Sequence, residues 1–215
     1  MKNLLIKELR LSAHPLSFLF LAFTLMAFIP GYPILVSAFF VCFGIFQTFQ
    51  NGRETNDVLY TVLLPIDKKD AVSARFVFVC FIQLAAALLS SVFTAVRMSF
   101  LADAAPYATN PMMNSTPVYI AWTFIVFALF NAAFVGPFFA TAYKFGKPFV
   151  TFIVLSLLAV GTAEVLHHVP GLEFFNTSDR LGTQILIAAA AFTVYAGVTA
   201  LSLFKARKRF EKLDL

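Results

Sequence analysis

Long apolar stretches alternate with short polar connections along the whole chain. Six of them, 15–30, 32–49, 72–98, 117–142, 148–167 and 181–204, approach the ~20 residues that cross a hydrocarbon core, and the first is the shortest. The pattern predicts an all-α integral membrane protein with six transmembrane helices in a single domain, 1–215. Pro30-Gly31 predicts a tight turn between the first two stretches. Longer loops follow at 99–116 and 168–180. Tyr119 and Trp122 fall just inside the start of the fourth stretch, at the level of an interfacial aromatic belt, and Tyr143 marks its other end.

Two polar connections carry elements of their own. On a 3.6-residue wheel Met1, Leu4, Leu5, Leu9 and Leu11 share one arc, and Asn3, Lys7 and Arg10 lie opposite. Residues 1–14 therefore read as an interfacial helix, spoiled only by Glu8 within the apolar arc, and Pro15 separates it from the first span. Between the second and third spans, Thr55 or Asn56 can cap a short helix running to about Leu63, which Pro65 ends. Asp67 can cap the next helix, with Asp70 three residues later. The third span then begins as a long helix whose first turns carry Lys68, Lys69 and Arg75.

Composition agrees with lipid as the solvent. The 215 residues are 60% hydrophobic and 13% charged, against about 25% charged in a soluble protein. Charge adds an orientation. Fourteen of the sixteen Lys and Arg residues fall in four segments: Lys2, Lys7 and Arg10; Arg53, Lys68, Lys69 and Arg75; Lys144 and Lys147; Lys205, Arg207, Lys208, Arg209 and Lys212. Cationic connections stay on the cytoplasmic side, so the expectation is a multi-pass cell-membrane protein with both termini cytoplasmic. The net charge of +5 is spread over membrane edges facing anionic head groups, which argues against nucleic acid as a partner. Cys42 and Cys80 lie inside spans, so no disulfide framework is expected. The N-terminus has the outline of a signal peptide, but Val36-Ser37-Ala38 is a poor and late cleavage site, and retention is expected. Asn114-Ser115-Thr116 and Asn176-Thr177-Ser178 match the glycosylation pattern, without consequence in the bacterial origin we favour.

Candidate chemistry inside the spans is sparse. Gln83, Asn131 and Gln184 are the notable polar residues. A proton- or sodium-driven transporter would place charge at mid-depth, and none is present there. Gly136-Pro137 should kink the fourth span. Ala189, Thr193 and Gly197, with Ala196 and Ala200, give the sixth span a small-residue face suited to packing within the chain or to a subunit contact. The twenty-eight Phe residues suit lipid-facing or packing positions. At the outer end of the fifth span Glu164 and His168 share a helix face beside His167; a metal site would need a further ligand, with Glu173 or Asp179 as the choices, and otherwise the cluster is a solvated edge. No Gly-flanked Ser, no His-Glu-x-x-His and no phosphate-binding glycine loop occurs. No catalytic residue, bound cofactor or metal ligand is assigned, and the chain is not expected to hydrolyse ATP itself.

The connection between spans two and three carries a resemblance. Asn51-Gly52-Arg53-Glu54, the acidic short helix, Leu64-Pro65-Ile66-x-Lys68-Lys69-x-x-Val72 and the following Arg75 look like the small six-span permease subunits of type-2 ABC exporters. The whole layout is similar; the motif covers about 51–75. The resemblance implies a non-catalytic permease paired with a second permease copy or homologue and with a cytoplasmic ABC ATPase subunit, which would bind ATP and Mg. It implies export of an amphipathic or apolar substrate. The short helix would be the coupling helix in a groove of the ATPase, with Arg53, Glu54, Asn56, Asp57, Leu59, Leu63, Leu64, Pro65, Lys68 and Lys69 as the contact residues. The alternatives are a membrane enzyme or metal-binding protein using Glu164, His167 and His168, and a non-transporting membrane scaffold or sensor.

Overall fold

The computed structural model describes residues 2–101, 104–141 and 144–213; Tyr143 lies outside them. Within the described residues the chain is 79% helical and contains no strand. Helix α1, Lys2–Lys7, continues as a π turn, Glu8–Ser12. Helix α2, Pro15–Leu19, continues as a 3-10 helix, Phe20–Phe28. Then come α3 Val36–Glu54, α4 Asp57–Val62, α5 Lys68–Phe100 and the short α6 Ala105–Ala108. Helix α7, Pro117–Phe130, runs through a π turn, Asn131–Val135, into α8, Gly136–Phe138. Helices α9, Gly146–Leu166, and α10, Leu181–Glu211, follow.

Four units, α5, α7 with its extension to Phe138, α9 and α10, are long and apolar enough to cross a membrane; a fifth qualifies if the bent pair Asn3–Ser12 and Pro15–Phe28 counts as one span. Each half of that pair has its own reason. Pro15 lacks an N–H and cannot extend the preceding helix, so the chain turns by 92° at Ala13 and His14. The His14 N–H donates to Thr48 Oγ1 at 2.9 Å, and Ser17 Oγ lies 2.8 Å from the same atom, which pins the corner to α3. The 3-10 section lengthens a short segment: at ~1.5 and ~2.0 Å per residue, Pro15–Phe28 reaches about 25 Å. Helix α3 is apolar only from Val36 to Phe49, and its last turn is polar.

Helix α7 is central, with 67% of its apolar window buried against 28% for α9 and 17% for α10. The phenylalanines pack rather than face lipid along this side. Phe46 and Phe149 stack at 3.8 Å, and Phe49 meets Phe138 edge-on at 4.9 Å, so rings from α3, α8 and α9 interlock at helical spacing. Such pairs add about 0.5–1.5 kcal/mol each beyond area burial.

Three sequence expectations change. Tyr119 is fully buried, its hydroxyl 2.9 Å from Ser37 Oγ and 3.4 Å from Ser90 Oγ; it is an internal hydrogen-bonding residue, not part of an interfacial belt. The small residues Ala189, Thr193, Ala196, Gly197 and Ala200 are exposed, because α10 packs on α7 through the opposite line of Ala191, Tyr195 and Thr199. On α1 the inward line is Leu4, Glu8 and Ser12, while Leu9 and Leu11 face out, at 43% and 77% exposure. Glu8 is thus the centre of the buried face, because it finds cationic partners there.

The turn at Pro30-Gly31 forms as the dipeptide dictates. Gly31 takes φ +71°, which the second central position of a type II turn requires, and its N–H donates to Asn110 Oδ1 at 2.9 Å.

Candidate functional site

The short helix α4 is reached through a reversal after α3. Asn56 occupies the N-cap position in the left-handed region at φ 54°, and its side chain caps nothing. Asn tolerates that conformation better than most residues. The reversal turns one edge of α4, Asp57, Val58 and Thr61, inward and leaves the other to solvent.

The inward edge ends in an ion network. Arg75, one side of α5, donates from Nη2 to Asp57 Oδ2 at 2.5 Å and pairs through Nε with Glu8 Oε2 at 2.6 Å. Lys7 Nζ reaches Asp57 Oδ1 at 2.6 Å and Glu8 Oε1 at 3.4 Å, and donates to Thr61 Oγ1 at 2.5 Å. Ser12 Oγ donates to Asp57 Oδ2 at 3.2 Å. Two acids and two bases balance, and Glu8 and Arg75 side chains are only 4% and 7% exposed. The Arg75 guanidinium also lies 5.4 Å over the Phe49 ring, a cation–π contact. Burial pushes the Asp57 carboxyl up, but Arg75, Lys7 and Ser12 outweigh it and hold the group below its ordinary range. A cleft of about 20 Å³ beside these groups, between α4, α5 and Phe139, has room for one water.

The outward edge is apolar. Tyr60 is 65% exposed and Leu63 73%, with Leu64 beside them. Arg53, Glu54, Asn56 and Pro65 are also exposed, and Leu59 is half-buried. Asp57 is the sequence-predicted contact residue that faces away from this surface, into the network. Lys68 and Lys69 turn toward the end of α10: Lys68 Nζ donates to the Leu213 carbonyl at 2.6 Å and Lys69 pairs with Glu211 at 3.0 Å. Arg207 donates from Nε and Nη2 to Ser73 Oγ, at 2.9 and 2.7 Å. The start of α5 is thus tied to α1, α4 and α10 together. Sequence reasoning passed over Tyr60 and misread Glu8. Tyr60 stands three residues before Leu63, on one helical arc. Glu8 was visible as the lone acid in an apolar arc, the mark of a buried partner.

Deeper in the bundle lies a neutral polar cluster. Gln83 and Asn131 exchange amide hydrogen bonds at 3.0 Å in both directions. Asn131 Nδ2 also donates to Thr199 Oγ1 at 2.8 Å, and the Tyr195 hydroxyl to Gln83 Oε1 at 2.9 Å. The π turn that follows Phe130 opens the helix before Pro137, and the Asn131 carbonyl accepts from Ser202 Oγ at 2.6 Å. A Cβ at Gly136 would run into Ser202 Oγ, which would have to give up its bond to the Asn131 carbonyl. Gln184 donates to the Phe174, Thr177 and Asp179 carbonyls and so fastens the loop before α10.

Glu164 and His167 hold a loop, while His168 is exposed beside them. Glu164 Oε2 accepts from the Met113 N–H at 2.8 Å, and His167 Nε2 lies 3.3 Å from the Pro111 carbonyl. The two imidazoles lie 4.0 Å apart. Among the described residues no three His, Cys, Asp or Glu side chains gather around a common point that could hold a metal. Of the two glycosylation-type asparagines, Asn114 donates from Nδ2 to the Asn176 carbonyl at 3.1 Å, so both take part in one loop contact.

The sequence profile of the family described as ABC-2 family transporter protein matches residues 3–211. No curated protein and no solved structure matches the chain. With nearly its whole length matched, the chain belongs to the ABC-2 transporter family, and its apolar helices make it a multi-pass membrane protein of that family.

Proposed function

From that membership we propose that the protein is the permease subunit of an ATP-driven exporter. A separate cytoplasmic ATPase subunit binds and hydrolyses ATP with Mg, and a second permease copy or homologue completes the pathway. In this reading six segments cross the membrane, α1 lies along the inner surface, both termini are cytoplasmic, and the substrate is amphipathic or apolar. The chain itself is non-catalytic.

One observation carries the reading: an exposed apolar edge, Tyr60 and Leu63, on a helix whose opposite edge is bound by ion pairs to α1 and α5. A partner can move the membrane helices only through contacts that differ between its own states. A loosely attached helix would absorb such a push. Here a displacement of α4 pulls on Asp57, hence on Arg75 and the 33-residue helix α5 that bears it. Glu8 carries the same displacement to α1.

The test is docking. A buried apolar anchor is worth about 2 kcal/mol or more, and a rim charge usually much less. Leu63→Asp and Tyr60→Asp are expected to reduce ATPase copurification and substrate-stimulated ATP turnover at least tenfold. Lys69→Ala, which loses only an exposed ion pair, is expected to leave both near parent values. Parent-like behaviour of both apolar-edge variants would remove α4 as the docking element.

A further inference from the structure

We propose that the groove between the π-bulged helix and the last turns of α10 binds an anionic phospholipid. The groove is about 300 Å³, walled by Ala132, Pro137, Val198 and Leu201, with Lys205 and Arg209 at its mouth. Val198 and Lys205 are seven residues apart, which sets an apolar depth of about 10 Å below the cations.

The two cations stand one turn apart on one helix line, where like charges repel. Among the described residues, neither has a carboxylate within ion-pair distance, whereas Lys7, Lys69 and Arg75 all do. Arg207, between them in sequence, is turned away and spent on Ser73. An anion at the mouth would relieve the repulsion, and the apolar walls beneath match a hydrocarbon chain. One molecule offers both at that depth: a phospholipid with a net negative head group and an acyl chain. The groove is open because the π turn and Gly136 let α10 come close at Ser202 while Ala132 stays exposed, small and facing outward. The proposal rests on the reading that the basic end of α10 lies at the inner, anionic surface of the membrane.

Native mass spectrometry of the purified protein in neutral detergent tests it. Phosphatidylglycerol and phosphatidylcholine with the same acyl chains are added together. Phosphatidylglycerol adducts are expected to be retained roughly tenfold more, the order of preference that two basic side chains supply. The exposed double variant Lys205→Ala/Arg209→Ala should bring the two lipids level. Ala132→Phe, which fills the groove from an exposed position, should lower retention of phosphatidylglycerol with both cations in place. Glycerol phosphate, the head group without chains, should compete only in large excess. Equal retention by the parent protein, no effect of either variant, or displacement by an equal concentration of glycerol phosphate would each overturn the proposal. Neither an ATPase nor a membrane orientation enters this measurement, so its failure leaves the permease reading standing, and failure of ATPase docking leaves the lipid result standing.

Discussion

Replacing Arg75 by Met should do more damage than any surface charge change in this protein. The guanidinium serves Asp57 and Glu8 at once, at 2.5 and 2.6 Å. At an effective dielectric near 20, a unit-charge pair ~4 Å apart is worth about 4 kcal/mol before desolvation is counted. Methionine fills similar volume but leaves two buried carboxylates to share Lys7. Removing one member of a buried pair costs about 3–5 kcal/mol, since the other charge stays uncompensated. For a chain of this size that corresponds to a fall in melting temperature on the order of 10 °C. The triple variant Glu8→Gln/Asp57→Asn/Arg75→Met removes both acids with the guanidinium they share, leaves only Lys7, whose partly exposed ammonium can turn to water, and should recover most of the loss, since neutral replacement of a buried network is often tolerated. Thermal unfolding in detergent, followed for the parent, single and triple variants, gives the non-additivity directly. A melting temperature for Arg75→Met within about 1 °C of the parent, or costs that simply add, would refute the network. If the triple variant is stable yet the ATP turnover of its complex with the proposed ATPase subunit no longer responds to substrate, the ion pairs serve transmission as well as folding.

Gly136→Ala should destabilise by about 1–3 kcal/mol, because its methyl would run into Ser202 Oγ; adding Ser202→Gly should restore part of the melting temperature. The depressed Asp57 pKa means its contribution is complete above the unfolded value, near pH 4, and is lost as pH falls through the folded value. The Asp57→Asn penalty should therefore be equal at pH 8 and pH 5.5 and shrink below pH 4; a penalty that vanishes between pH 8 and pH 6 would contradict the ion pairing. Single cysteines at the exposed Thr109 and Ser178 should label from outside intact cells, and those at Lys69 and Lys208 only after permeabilisation; labelling of Lys208→Cys from outside would reverse the orientation.

Much was legible along the chain, and for local reasons. Apolar runs, Pro15, the Pro30-Gly31 turn and the Pro65 exit act on their own neighbours, so the α1–α2 break, the helix beginning at Lys68 and the short α4 follow from residues close in sequence. The grouping of basic residues is likewise a property of the sequence alone, but the partners that Lys7, Lys69, Arg75 and Arg207 take within the chain are not. Side-chain direction was not legible. Glu8 spoils an amphipathic wheel until Arg75, sixty-seven residues away, is brought to it. Asp57 reads as a surface charge until the reversal at Asn56 turns it inward and leaves Tyr60 and Leu63 as the outer edge. The small residues of α10 read as a face for packing within the chain or for a subunit contact, and the first reading falls when α7 takes the opposite line. In each case the free energy comes from a contact between segments distant in the chain: an ion pair sheltered from water, or two helices whose surfaces interlock. Periodicity shows which residues share an arc; only the neighbours assembled around a helix decide which arc is buried.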